Sequence, residues 1–103
     1  MTWTPYSLEE VGHLLTTEQS EFTANEHAKF ARTKVPIRQV RCFRSEQNKD
    51  GHLFVVASDG NTAVVFDDVE QEFAICKARA LDDEVVRDWG LAGSLVFALM
   101  HLK

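Results

Sequence analysis

The stretch VVFDDVEQEF, residues 64–73, places Asp67, Asp68, Glu70 and Glu72 within six positions of one another, directly behind an apolar run. Carboxylates grouped in this way have two chemical uses. Oxygens converging on one point bind a hard cation, and two carboxyls in contrasting environments serve as acid and base. Asp67 and Asp68 are adjacent at a strand end, so their side chains leave on opposite faces. There is no DxDxDG pattern, and no His or Cys lies within three positions. The spacing predicts a solvated turn between two strands with Val69 pinned inward.

The remaining polar residues offer no stronger chemistry. His13, His27, His52 and His101 are scattered, and none is placed four residues from a second His or a Cys as in zinc-binding helices. Cys42 and Cys76 lie 34 positions apart without a CxxC spacing, so buried structural thiols on different strands are expected. Ser58 in ASDGN lacks the flanking glycines of a nucleophile elbow, and GLAG at 90–93 lacks the lysine of a phosphate loop. No catalytic residue, metal ligand or cofactor site is predicted.

Positioning elements follow from periodicity. Ser7 and Glu10 have the spacing of a capping box, and Leu8, Val11 and Leu15 recur at helical intervals behind them. A second helical stretch covers 18–32, with Thr23 and Glu26 offering another capping box and hence a break near Thr23. Pro36 ends the helical part. IRQVRCFR then reads as an edge strand, SEQNKDG as a turn, and HLFVVAS, apolar on both faces, as a central strand covered on two sides. DGN at 59–61 predicts a hairpin into TAVVFDD, and EFAICKA follows as a further strand. In LDDEVVRDWG, Asp82 either caps a helix through Trp89 or VVRDW forms a short fifth strand; the β-branched pair and Gly90 favour the strand. LAGSLVFALMHL reads as a terminal helix. The expectation is one α+β domain over 1–103: N-terminal helices, an antiparallel meander of four to five strands, and a C-terminal helix.

That length suits a single core. The formal net charge of −5 disfavours adhesion to nucleic acid or anionic membrane. Lys29, Arg32, Lys34, Arg38, Arg41 and Arg44 follow one another with no acid between them, but strand parity splits the last three between faces. Phe43 alone interleaves as an aromatic, so no nucleic-acid partner is expected. The N-terminus has neither a basic nor an apolar signal region and no apolar run spans a bilayer, so a cytoplasmic location is expected.

Residues 54–57, 66–70 and Phe73, with VVRDWG following loosely, resemble a group of small bacterial proteins that carry an FVVA…VVFDDVEQEF-type segment. The resemblance implies a bacterial origin and a shared fold. It implies no activity.

The terminal segment is apolar nearly all round, with Phe97 and Met100 beyond a normal amphipathic face. This predicts an interaction surface of Phe97, Met100, Trp89, Asp67, Asp68 and Glu70, and self-association, as a homodimer, carried partly by Phe97 and Met100. The expected function is a non-catalytic protein binder of the adaptor, immunity or secretion-chaperone kind. The alternative is a small-ligand binder or enzyme with a pocket between sheet and helices, lined by Trp3, Tyr6, Phe22 and Phe30.

Overall fold

The computed structural model describes residues 4–44, 51–83 and 85–103; residues 1–3 with Trp3, residues 45–50, which carry most of the expected SEQNKDG turn, and Glu84 lie outside them. Helix α1 spans Leu8–Gln19 and helix α2 spans Ala24–Thr33. Each starts at the expected capping box: Glu10 N–H donates to Ser7 Oγ and Glu26 N–H to Thr23 Oγ1, while each glutamate accepts from its cap's own amide. These bonds satisfy two orphan donors per helix and place the break at Thr23. Val11 and Leu15 of α1 are buried, but Leu8 is half exposed.

Five strands follow in a sheet of order β1-β2-β3-β4-β5, all antiparallel: β1 Lys34–Cys42, β2 Gly51–Ser58, β3 Thr62–Asp67, β4 Glu72–Lys77 and β5 Gly90–Gly93. The α+β class and the meander are as expected. Strand β1 begins two residues before Pro36, which is accommodated at an edge where its missing N–H breaks no ladder.

Both faces of the sheet are covered, as the two-sided apolarity of β2 predicts. Phe54, Val56, Val64, Phe66 and Phe73 pack with Val11, Leu15 and Phe30 of the helices. Leu53, Val55, Val65, Ala74 and Cys76 face the opposite way, under Leu81, Val86 and Trp89. A bulge at Val55–Ala57 turns Ala57 to the helical side beside Val56. Fully burying a side chain such as Phe54 or Phe66 stabilises the fold by about 2–3 kcal/mol.

The second face is closed by residues 78–89, which leave β4 through a short 3₁₀ turn at Ala78–Asp82 and reach the outer edge of β1. There Val86 forms a parallel bridge to Cys42, its amide donating to Arg41 O at 2.8 Å and its carbonyl accepting from Phe43 N–H at 2.9 Å. The chain then returns to pair as β5 beside β4. VVRDW is therefore not the fifth strand: Val86 is spent on a single bridge, and GLAG supplies the strand instead. The terminal helix is correspondingly shorter than the sequence predicts. Helix α3 covers only Leu95–Leu99, capped by Ser94 Oγ on the Phe97 amide.

Candidate functional site

The turn between β3 and β4 is present at residues 68–71, closed by Gln71 at φ 58°. Glu70 and Glu72 are exposed as expected, but the two aspartates are not solvated. Asp67 is 4% and Asp68 3% exposed, which corrects the expectation for this segment. Among the described residues Asp67 accepts five hydrogen bonds. The Val69 and Glu70 amides donate to Oδ1 at 3.0 and 3.3 Å, fixing the turn locally. Arg44, just beyond β1, donates through Nη2 to Oδ1 and through Nη1 to Oδ2 at 3.1 Å, a two-pronged guanidinium–carboxylate pair. Trp89 Nε1 adds a fifth bond to Oδ2 at 3.3 Å, and the Arg44 guanidinium lies 5.4 Å from the Trp89 ring centre. Asp68 Oδ2 accepts the Tyr6 amide at 3.0 Å, tying the segment before α1 to the sheet, while the Tyr6 ring meets Phe66 edge-on at 5.1 Å.

This geometry sets the protonation states. Burial pushes the Asp67 pKa up, but the Arg44 bonds and charge, the Glu70 amide and the Trp89 indole together hold it below the ordinary carboxylate value. Cys42 lies beside the pair: a Cβ on Gly51 would come within 3.1 Å of both Cys42 Sγ and Arg44 Nε. Burial raises the Cys42 pKa, and the charges of Asp67 and Asp68 add to the rise against the lowering effect of Arg44. Cys76 is pushed up to about 11 by burial. Neither thiol is an activated nucleophile. They sit on β1 and β4, three strand spacings or about 14 Å apart, beyond the reach of a disulfide. Among the described residues no three His, Cys, Asp or Glu side chains converge as metal ligands. The cluster is an internal brace.

The six predicted surface residues thus divide. Trp89 is half-buried and joined to Asp67; Asp68 is buried beside it; Glu70 is exposed on the turn. Phe97 and Met100 stand apart on α3, 40% and 71% exposed, while Leu95, Ala98, Leu99 and Leu102 fill the core. The Phe97 ring lies against Gly93, where a Cβ would come within 2.9 Å of it, and meets His101 edge-on at 5.1 Å. Sequence reasoning missed Leu91. This residue of β5 is 56% exposed and held at φ 53°, a backbone region that leucine rarely enters. Its signal was faint, one leucine between two small residues beside a glycine. Among the described residues β5 is the last strand of the sheet, paired on one side only, with β4.

A cleft of about 340 Å³ does lie between α1 and the sheet, lined by Tyr6, Leu14, Phe66 and Phe73 among others. Of the predicted lining, Trp3 lies outside the described residues, and among those described Tyr6 alone is there. Phe22 and Phe30 pack on one another at 6.1 Å in the helical core. The basic row also loses a member, since Arg44 turns inward to Asp67. Among the described residues no helix is long and apolar enough to cross a membrane. Compared with protein-family models, with curated proteins and with solved structures, the chain matches none.

Proposed function

We propose that this is a non-catalytic protein that acts by binding protein, through the surface formed by β5 and α3, with a second copy of the chain as its first partner. One observation carries the reading. Leu91, Phe97 and Met100 are exposed within ten residues of sequence, at a strand with an unpaired edge, and Leu91 is held there in a left-handed conformation. That conformation costs a leucine roughly 1 kcal/mol, and an exposed side chain recovers little of it within the monomer. Covering the three side chains in an interface recovers it. The carboxylates that would suggest catalysis are occupied by Arg44, Trp89 and backbone amides. The adaptor, immunity and chaperone roles all use a surface of this kind.

Sedimentation velocity across low to high micromolar concentration tests the reading. The wild-type chain is expected to dimerise, and Leu91→Asn combined with Met100→Ser to remain monomeric with an unchanged fold, asparagine being at ease at positive φ. A monomeric wild type that also gives no adduct from a photo-crosslinker at position 97, in the presence of its host's proteins, refutes it. A small-ligand role in the cleft beside Tyr6 is the second reading, favoured by the aromatic lining. Metabolite-dependent rises in Tm, lost in Tyr6→Ala, would select it instead.

A further inference from the structure

Beside β5 lies a shallow hollow of about 340 Å³ whose wall includes Ile75, Cys76, Trp89 and Leu91. Building on the protein-binding reading, we propose that each copy of the chain seats its Leu91 in this hollow of a second copy, so that a two-fold dimer fills both hollows at once.

The ladder between β4 and β5 sets Leu91 apart. Ile75 pairs with Gly90 and Phe73 with Gly93, so Leu91 and Ala92 together stand opposite Ala74 alone. The extra residue makes a bulge, and a bulge of this kind ordinarily gives glycine the left-handed conformation that Leu91 holds here at φ 53°. The bulge interrupts the regular row of edge N–H and C=O groups, so β5 is a poor template for a strand added from another chain. It also leaves a leucine standing out from the edge, 56% exposed. Recognition at this edge passes through the side chain.

The hollow forms where β5 has not yet begun. Because β5 starts at Gly90, opposite Ile75, the outer edge of β4 at Cys76 and Lys77 has no strand beside it among the described residues. Ile75 and Trp89, both half-buried, border that gap and offer an apolar surface to an incoming aliphatic group. Lys77 and Asp88 add one cation and one carboxylate to the lining. The patch is therefore neutral and carries an opposite for each of its own charges, which lets two chains of net charge −5 meet face to face there. Leu91 is both the protruding group and part of the hollow's wall. A two-fold axis beside it that brings one leucine into the second copy's hollow brings the other leucine back in the same operation. A one-way contact leaves one leucine and one hollow uncovered in any open assembly.

Two variants of the full chain test the exchange. Leu91→Asn removes the protruding group and suits the positive φ. Gly90→Ile blocks the hollow: Gly90 lines it, has no positive φ, and a Cβ there meets nothing within 4 Å. Each variant spoils both seats of its own dimer, and sedimentation velocity is expected to show Kd raised by about a hundredfold, about tenfold per seat. Amide spectra of the dilute monomers, unchanged away from β5, prove folding. Mixed one to one, the two variants are expected to pair about tenfold more tightly than either pairs with itself, because both lesions then share one seat and the other is intact. On the wild type, isotope-filtered NOEs between labelled and unlabelled chains are expected from the Leu91 methyls to the Trp89 ring. No gain on mixing, or a wild-type dimer without that NOE, overturns the exchange and leaves the protein-binding reading to Phe97 and Met100. A monomeric wild type overturns it too, and the photo-crosslinker at position 97 then decides the protein-binding reading separately.

Discussion

Replacing Asp67 by asparagine isolates the charge of the internal brace. The amide oxygen still faces the Val69 and Glu70 N–H groups, so the turn keeps its local closure. What is lost is the counter-ion of Arg44, in a pair whose side chains are 14% and 6% exposed. Removing one partner of a buried pair leaves an uncompensated charge and costs about 3–5 kcal/mol; with Arg44 not wholly enclosed, about 3 kcal/mol is expected. Against a total stability of about 5–15 kcal/mol this is large, and it lowers Tm by roughly 15 °C. Arg44→Met alone costs a similar amount, because it strands Asp67. The double variant is expected to recover about 2 kcal/mol of the summed losses, since neither charge then remains. Urea unfolding followed by tryptophan emission measures all four species. The sign with pH follows from the lowered Asp67 pKa. Its contribution is complete above the unfolded value near about pH 4 and disappears as pH falls through the folded value, so acid erodes the wild type and spares Asp67→Asn. Additive losses, or a single-variant loss below about 1 kcal/mol, would refute the reasoning.

Two further outcomes follow from the same region. Gly51→Ala puts a methyl within 3.1 Å of both Cys42 Sγ and Arg44 Nε, and is expected to cost about 1–3 kcal/mol by urea unfolding; a neutral effect would show that the pair yields freely. The two thiols, buried and with raised pKa values, are expected to react with iodoacetamide at about pH 8 at least roughly 100-fold slower in the native protein than in denaturant, and rapid native labelling of either contradicts their placement.

What the sequence made legible is what neighbours decide. Ser7 with Glu10 and Thr23 with Glu26 are three residues apart, so each helix start is written within one turn of chain. The alternation of Phe73 and Ile75 against Ala74 and Cys76 is equally local, and the sheet respects it. Strand β5 was hidden because GLAG has no β propensity; it is extended only because Phe73 and Ile75 offer it a partner. The burial of Asp67 and Asp68 was hidden for the same reason. Their partners Arg44, Trp89 and Tyr6 lie 23, 22 and 62 positions away, and nothing within the turn announces them. The available signal was a Trp indole and an arginine at a strand end, each needing an acceptor once buried.

The placement of the brace connects it to the proposed binding surface. The helices cover one face of the sheet with two capped elements, but the other is covered by residues 78–89, whose regular structure among the described residues is one 3₁₀ turn. Such a segment has few internal hydrogen bonds to resist opening, so its position depends on attachments to the sheet. The structure supplies two of these: the Val86 bridge to β1, and the Trp89 indole on Asp67. Arg87 lies between those anchors, and Leu91 follows the second by two residues. The stacking of Arg87 on Phe43 and the exposure of Leu91 at the sheet edge are both set by where Val86 and Trp89 are fixed. A carboxylate buried at the end of β3 thus serves recognition without touching a ligand, by holding in register the segment that carries the contacting side chains.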